Sequence, residues 1–196
     1  MNIFVLDTEA RKAARMYCDK HVPKMCVEVA QMMASALRRH GATDEQMPLT
    51  KAGTPYKGGY AHHPCTVWAG DSRDNFAWLA QHGDELCREY SKRFDKTHAC
   101  HIPILHMSGI LIDLIPTGGL TPFALAMPDE HRPMWVSEIG HRGIMYPDDY
   151  ADKRLNHASH QIAVEAYRRY YHSKQFAKWE KGTPAPDWWR GVEVTA

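Results

Sequence analysis

An imidazole and a carboxylate stand seven residues apart near the start of this chain, His21 and Glu28, in a stretch rich in Met, Val and Ala. On a helix advancing ~100° per residue, Glu28 lies about 20° from directly above His21, two turns along. Lys24, Gln31 and Ser35 fall in the same polar stripe. Val22, Cys26, Val29, Met33 and Leu37 form an apolar stripe beside it, so one face can pack while the next lines a cleft. A carboxylate placed there can act as general acid or base, or stabilise a cationic transition state. The same spacing also describes a Lys24–Glu28 surface ion pair beside a solvated histidine.

Three further groups have the chemistry for a site. Tyr167-Arg168-Arg169-Tyr170-Tyr171, followed by His172 and Lys174, interleaves aromatics with bases. Such a segment stacks nucleobases while its cations hold phosphates, or forms an amphipathic helix with half-buried tyrosines. His62 and His63 sit in a Gly-rich loop, where functional groups often lie. Adjacent residues of an extended chain point apart, so this pair is no bidentate metal site. His98, Cys100, His101 and His106 are competent ligand types at no zinc-like spacing. His157 and His160, one turn apart, add a further ligand pair. No H-E-x-x-H, P-loop, Gly-x-Gly-x-x-Gly or Gly-x-Ser-x-Gly pattern occurs. The expectation is no metal and no cofactor. A metal-dependent hydrolase or nucleotide-modifying enzyme using His62, His63, His98, His101 or His106 stands as an alternative.

The elements that must carry these groups are mostly helical. Residues 2–7 are a short apolar segment ending in Asp7-Thr8, a helix cap, and helical sequence runs from Glu9 to Tyr17. Pro23 suits a first turn, so a second helix is expected from about Val22 to Arg39, stopped by Gly41. Residues 41–66 read as loop, and Ser72 caps a helix burying Phe76, Leu79, Leu86, Cys87 and Tyr90. The Pro/Gly-rich stretch 97–150 reads as a long irregular insert around the apolar patch Ile110–Ile115, with a short strand. A last helix is expected over Asp152–Lys181, then a tail with Pro184, Pro186, Trp188 and Trp189. The fold class is therefore mainly α: a single compact helical domain over 1–196 with a long irregular insert at 97–150.

With 44% hydrophobic and 24% charged residues, the 196-residue chain has an ordinary globular composition. A net charge of +1 does not announce a nucleic-acid binder, although the 13 histidines make the surface cationic near pH 6. The five cysteines form no Cys-x-x-Cys pair and read as buried free thiols of a reducing compartment. No apolar run spans a membrane and no leader is visible, so a cytoplasmic location without membrane partners is expected. Oligomeric state is left open.

The first two groups and their order resemble the phage-type pyrimidine-dimer DNA glycosylases, the endonuclease V group of small helical enzymes. Asp19-Lys20-His21 with Glu28 is similar to that family's Asp-Gln-His and the catalytic Glu that follows at the same distance. Trp78-Leu79 through Glu85-Leu86-Cys87-Arg88-Glu89 resembles its central helix, and Tyr167–Tyr171 with Lys174 its aromatic, basic C-terminal segment. The resemblance implies that Glu28 steadies a sugar cation or imine and that His21 shapes the pocket. It implies that Arg168, Tyr170, Tyr171 and Lys174 contact nucleic acid, and Lys24, Gln31, His62 and His63 are read as further base-binding candidates. In the family the nucleophile is the α-amine exposed by methionine removal; here Asn2 follows Met1, a residue large enough to hinder that step. Two family arginines are replaced by Val27 and Gln31. The functional expectation is an enzyme acting on the N-glycosidic bond or base of DNA or a nucleotide. A non-catalytic nucleic-acid-binding protein on the same scaffold is the alternative.

Overall fold

The computed structural model describes residues 2–110, 112–132 and 153–192. Among these the chain forms six α-helices, α1 (Ala10–Arg15), α2 (His21–Arg39), α3 (Pro64–Ala69), α4 (Arg73–Phe94), α5 (His101–Ile110) and α6 (Lys153–His172). Extended pairing is confined to the isolated bridge Leu49–Pro55, again among the described residues. The fold is mainly α, as the periodicity predicts. No helix among the described residues is long and apolar enough to cross a membrane.

α4 is the central element and packs against α1, α2 and α5. It starts where the sequence places it, with Ser72 Oγ accepting from Asn75 N at 3.1 Å. α2 opens without a side-chain cap, its first amides bonding to the Cys18 carbonyl. It closes through Gly41 at φ +88, which lets Ala42 N reach back to the Leu37 carbonyl. Arg93 of α4 fixes the turn between α1 and α2. Its buried guanidinium meets Glu89 at 2.8 Å and Asp19 at 3.1 Å, and donates to the carbonyls of Tyr17 and Arg15. A buried cation this fully partnered fixes geometry, and stripping its partners is expensive.

Four expectations are corrected. The irregular insert begins later than residue 97, because His101–Ile110 is a helix that buries Ile104 and Met107. Pro103 falls in its first turn, where a missing amide costs nothing. Ile112–Leu114 is a 3-10 turn in place of the expected short strand. The part of the insert from 133, and the Asp152 start of the last helix, lie outside the described residues. α6 stops at His172, short of Lys181. The chain then folds back: Trp179 Nε1 donates to the Met16 carbonyl and Asp19 N to that of Lys178. His172 stacks on Trp189 at 4.8 Å and 3°, so tail aromatics hold the helix end. Finally, part of the loop expected over 41–66 is α3, with Pro64 in its first turn and His63 Nδ1 accepting from Cys65 N.

The loop before α3 is clamped onto α2. Ser35 Oγ accepts from Gly59 N and donates to the Gly59 carbonyl, while Arg38 donates to that of Tyr56. Gly58 lies at φ +81, and a Cβ there would sit 2.2 Å from Ser35 Oγ and 2.6 Å from Ser35 N. Gly58→Ala is therefore expected to cost about 2–3 kcal/mol, from a strained φ plus displacement of the loop from α2. A urea midpoint within error of wild type would contradict this.

Candidate active site

The site is built by threading the N-terminal segment between α2 and α6. Tyr17 Oη both accepts from Phe4 N and donates to Phe4 O, each at 2.9 Å, which fixes the segment in register. Arg168 Nε holds it further on, donating to the Leu6 carbonyl at 2.9 Å. At its start, Asn2 Nδ2 donates to the Ala126 carbonyl, and Asn2 Oδ1 accepts from Cys65 Sγ at 3.7 Å. This registration delivers Asn2 N to Glu28 Oε2 at 2.7 Å. Glu28 is only 8% exposed, and its other oxygen pairs with Lys24 Nζ at 3.3 Å. The surface-pair reading thus describes one oxygen of Glu28; the other is turned inward onto a backbone nitrogen.

His21 is 3% exposed and stacks on Phe4 at 4.8 Å. Its Nδ1 lies 2.8 Å from Tyr171 Oη, which also accepts from Cys18 N. Burial, helped by Lys24, Lys174 and Lys20, lowers the His21 pKa to about 3. The ring is therefore held neutral well below the ordinary imidazole range.

His82, wholly buried against Ala10 O and Tyr17 Oη, is likewise lowered to about 4 by burial. Both histidines stay neutral in the fold at pH values where the unfolded chain protonates them. Their contribution is complete above the unfolded value near 6.5 and drains as pH falls toward 4 and 3. From pH 7 to pH 5 the fold should lose on the order of 2 kcal/mol from each. Equal urea midpoints at the two pH values would contradict the assignment.

The C-terminal segment divides its residues between interior and surface. Tyr171 is fully enclosed, which corrects its expected contact with nucleic acid: its hydroxyl is spent on Cys18 and His21. Tyr170 is half-buried, beside Phe4 at 5.6 Å, and Lys174 Nζ sits 3.4 Å from its ring centroid. Arg168, besides holding Leu6, faces Asp7 at 3.9 Å. Burial, offset by Asp7 and Glu165, lowers its pKa from the ordinary guanidinium value. His131, Tyr170, Phe4 and His21 form a run of neighbouring rings, with Phe4 central.

The remaining candidates lie around this rim. Gln31 is half-buried beneath Gly59, one turn beyond Glu28. His62 is exposed. His63 caps α3, and burial lowers its pKa against an opposing influence from Glu28. The metal-hydrolase histidines do not converge: His101 bonds Asp84, His106 bonds the Gln46 carbonyl, and His63 serves as a cap. Val27 is 42% exposed beside Glu28, an apolar surface where the family resemblance leads one to expect a cation. Sequence reasoning missed Phe4, Tyr17 and Cys65, because nothing in their spacing ties them to Glu28.

The helical scaffold thus seats the backbone nitrogen of Asn2 on a buried carboxylate of α2. The family model described as pyrimidine dimer DNA glycosylase matches residues 1–102, and the chain belongs to that family. The match covers the N-terminal segment, α1 to α4, and the start of α5. No curated protein and no solved structure matches the chain.

Proposed function

We propose that this protein is a DNA glycosylase in which Glu28 is the charge-stabilising group and the nitrogen of Asn2, freed by removal of Met1, is the nucleophile. The observation that carries the reading is the 2.7 Å contact between Asn2 N and Glu28 Oε2, two residues that are each only 8% exposed. The family supplies the reaction class.

The chemistry follows from that pair. The free amine places its lone pair on C1′ of the target nucleotide as the C1′–N bond breaks, and the base leaves with the bonding electrons and is protonated. Loss of a proton from nitrogen and opening of the sugar ring leave a C1′ imine on Asn2, which water can hydrolyse. Positive charge develops at C1′ and then on the imine nitrogen, beside the Glu28 carboxylate. Neutral His21 on Phe4 walls the pocket, and Tyr170 under Lys174 offers a ring for stacking and a cation for phosphate. Lys24 and Arg168 add positive charge at the rim. Gln31, His62 and His63 are proposed as base-side contacts, and DNA as the substrate.

The test is abasic-site formation on ultraviolet-irradiated duplex by protein whose N-terminus has been verified by mass. Turnover by the processed chain and none by the Met1-retaining chain are expected. A second reading, DNA binding without turnover, is favoured by one observation: Asn2 is bulky for methionine removal, and an amide nitrogen cannot attack. Salt-dependent DNA binding that Glu28→Gln leaves unchanged, with no turnover by processed protein, would establish it instead.

A further inference from the structure

On the side of α2 turned away from Glu28, three donor atoms from three parts of the chain come together. Cys26 of α2, Cys87 of α4 and His98 of the α4–α5 turn place one ligand atom each within 4.8 Å of one another. Both thiols are fully buried, and Cys26 Sγ donates to the Val22 carbonyl at 3.2 Å. Cys100 is buried next to this group but its Sγ is outside that 4.8 Å cluster and accepts from Tyr56 Oη at 3.8 Å; its amide donates to His98 Nδ1 at 3.1 Å, and it interacts electrostatically with Cys26 and Cys87.

We propose that Cys26, Cys87, His98 and Cys100 form a structural binding site for a zinc-type divalent ion, which locks α2 to α4 and to the start of α5. The donor set selects the class: thiolates with one imidazole favour zinc over the oxygen-seeking magnesium and calcium. Tetrahedral zinc holds S and N donors roughly 3.3–3.8 Å apart, so the Cys26–Cys87–His98 spread needs to close by about an ångström and Cys100 Sγ must turn from Tyr56 to join it, both through cysteine χ1 adjustments. The Pro23 carbonyl bonds the His98 ring, and a backbone carbonyl on one imidazole nitrogen fixes the tautomer that offers the other to a metal. That nitrogen's present partner is the amide of Cys100, the neighbouring ligand.

The location defines the role. Cys26 lies two residues before Glu28, about 200° away around the same helix, so the ion takes no part at the catalytic carboxylate. It would instead hold in place the helix that carries Glu28 and His21. His98-x-Cys100 matches no zinc spacing because its partner ligands are delivered by two helices far apart in the chain.

The test uses the full untagged chain, reduced, stripped with chelator and titrated with cobalt(II) and then zinc(II). One equivalent of cobalt should give a thiolate-to-metal charge-transfer band that one equivalent of zinc abolishes, with a rise in melting temperature. His98→Ala, at the half-buried rim, keeps the fold by circular dichroism and should weaken cobalt binding at least ~10-fold. Absence of the band in stripped wild type overturns the proposal, as does cobalt binding unchanged in His98→Ala. A Cys26–Cys87 disulfide in place of metal in the purified protein overturns it too. All these readouts are independent of glycosylase activity.

Discussion

Glu28→Gln should lower the rate of abasic-site formation by about 10²–10³-fold while moving the melting temperature by less than ~3 °C. The substitution is isosteric, so the amide oxygen can still accept from Asn2 N in the position Oε2 now occupies. Packing of the buried side chain is kept. What disappears is the negative charge facing a sugar carbon that becomes cationic, and this interaction is stronger in the transition state than in the ground state. Lys24 loses its partner, but its side chain is 63% exposed and water replaces the pair at little cost. Site-bound substrate should be retained, so kcat falls and KM changes little. A variant as fast as wild type would remove Glu28 from the mechanism, whereas a variant that unfolds would show that the carboxylate is held for structure.

The helices were legible where local chemistry sets them. Ser72 supplies its own cap, Gly41 its own left-handed stop, and the apolar stripe of α2 repeats through Val22, Cys26, Val29, Met33 and Leu37. The errors share one cause, which is tertiary partners deciding a boundary. The end of α6 depends on Trp179 reaching Met16 and on Asp19 capturing Lys178 and Glu180. α5 forms inside a Pro-rich stretch because Ile104 and Met107 find a core.

The site shows the same division. The seven-residue step from His21 to Glu28 puts both on one face of α2, as read from the periodicity. Their roles differ because of contacts the spacing does not contain. Phe4 and Tyr171 bury His21 and make it neutral, and the N-terminal segment brings a nitrogen to Glu28. In sequence terms Tyr170 and Tyr171 are equivalent. α6 turns one toward Lys174 and the other into the core, and only the packed structure tells them apart.

Borohydride trapping during turnover should join the DNA covalently to Asn2 and to no lysine. Reduction converts a C1′ imine into a stable secondary amine, so the adduct records which nitrogen attacked. Lys24 and Lys174 are the rival amines near the pocket, yet Lys24 pairs with Glu28 at 3.3 Å and Lys174 lies over Tyr170 at 3.4 Å. The Asn2 nitrogen is held by the backbone register that Tyr17 and Arg168 impose and needs no side-chain rearrangement to face the carboxylate. Trapped yield should therefore scale with the fraction of chains that have lost Met1. Asn2→Thr puts a smaller residue behind the methionine and should raise both fraction and yield together. The same substitution loses the Asn2 Nδ2 bond to Ala126, so turnover per processed chain should fall modestly even as total adduct rises. An adduct mapped to Lys24 or Lys174 would move the nucleophile. Base release by fully processed protein with no adduct would mean that water attacks C1′ directly, with Glu28 as its base.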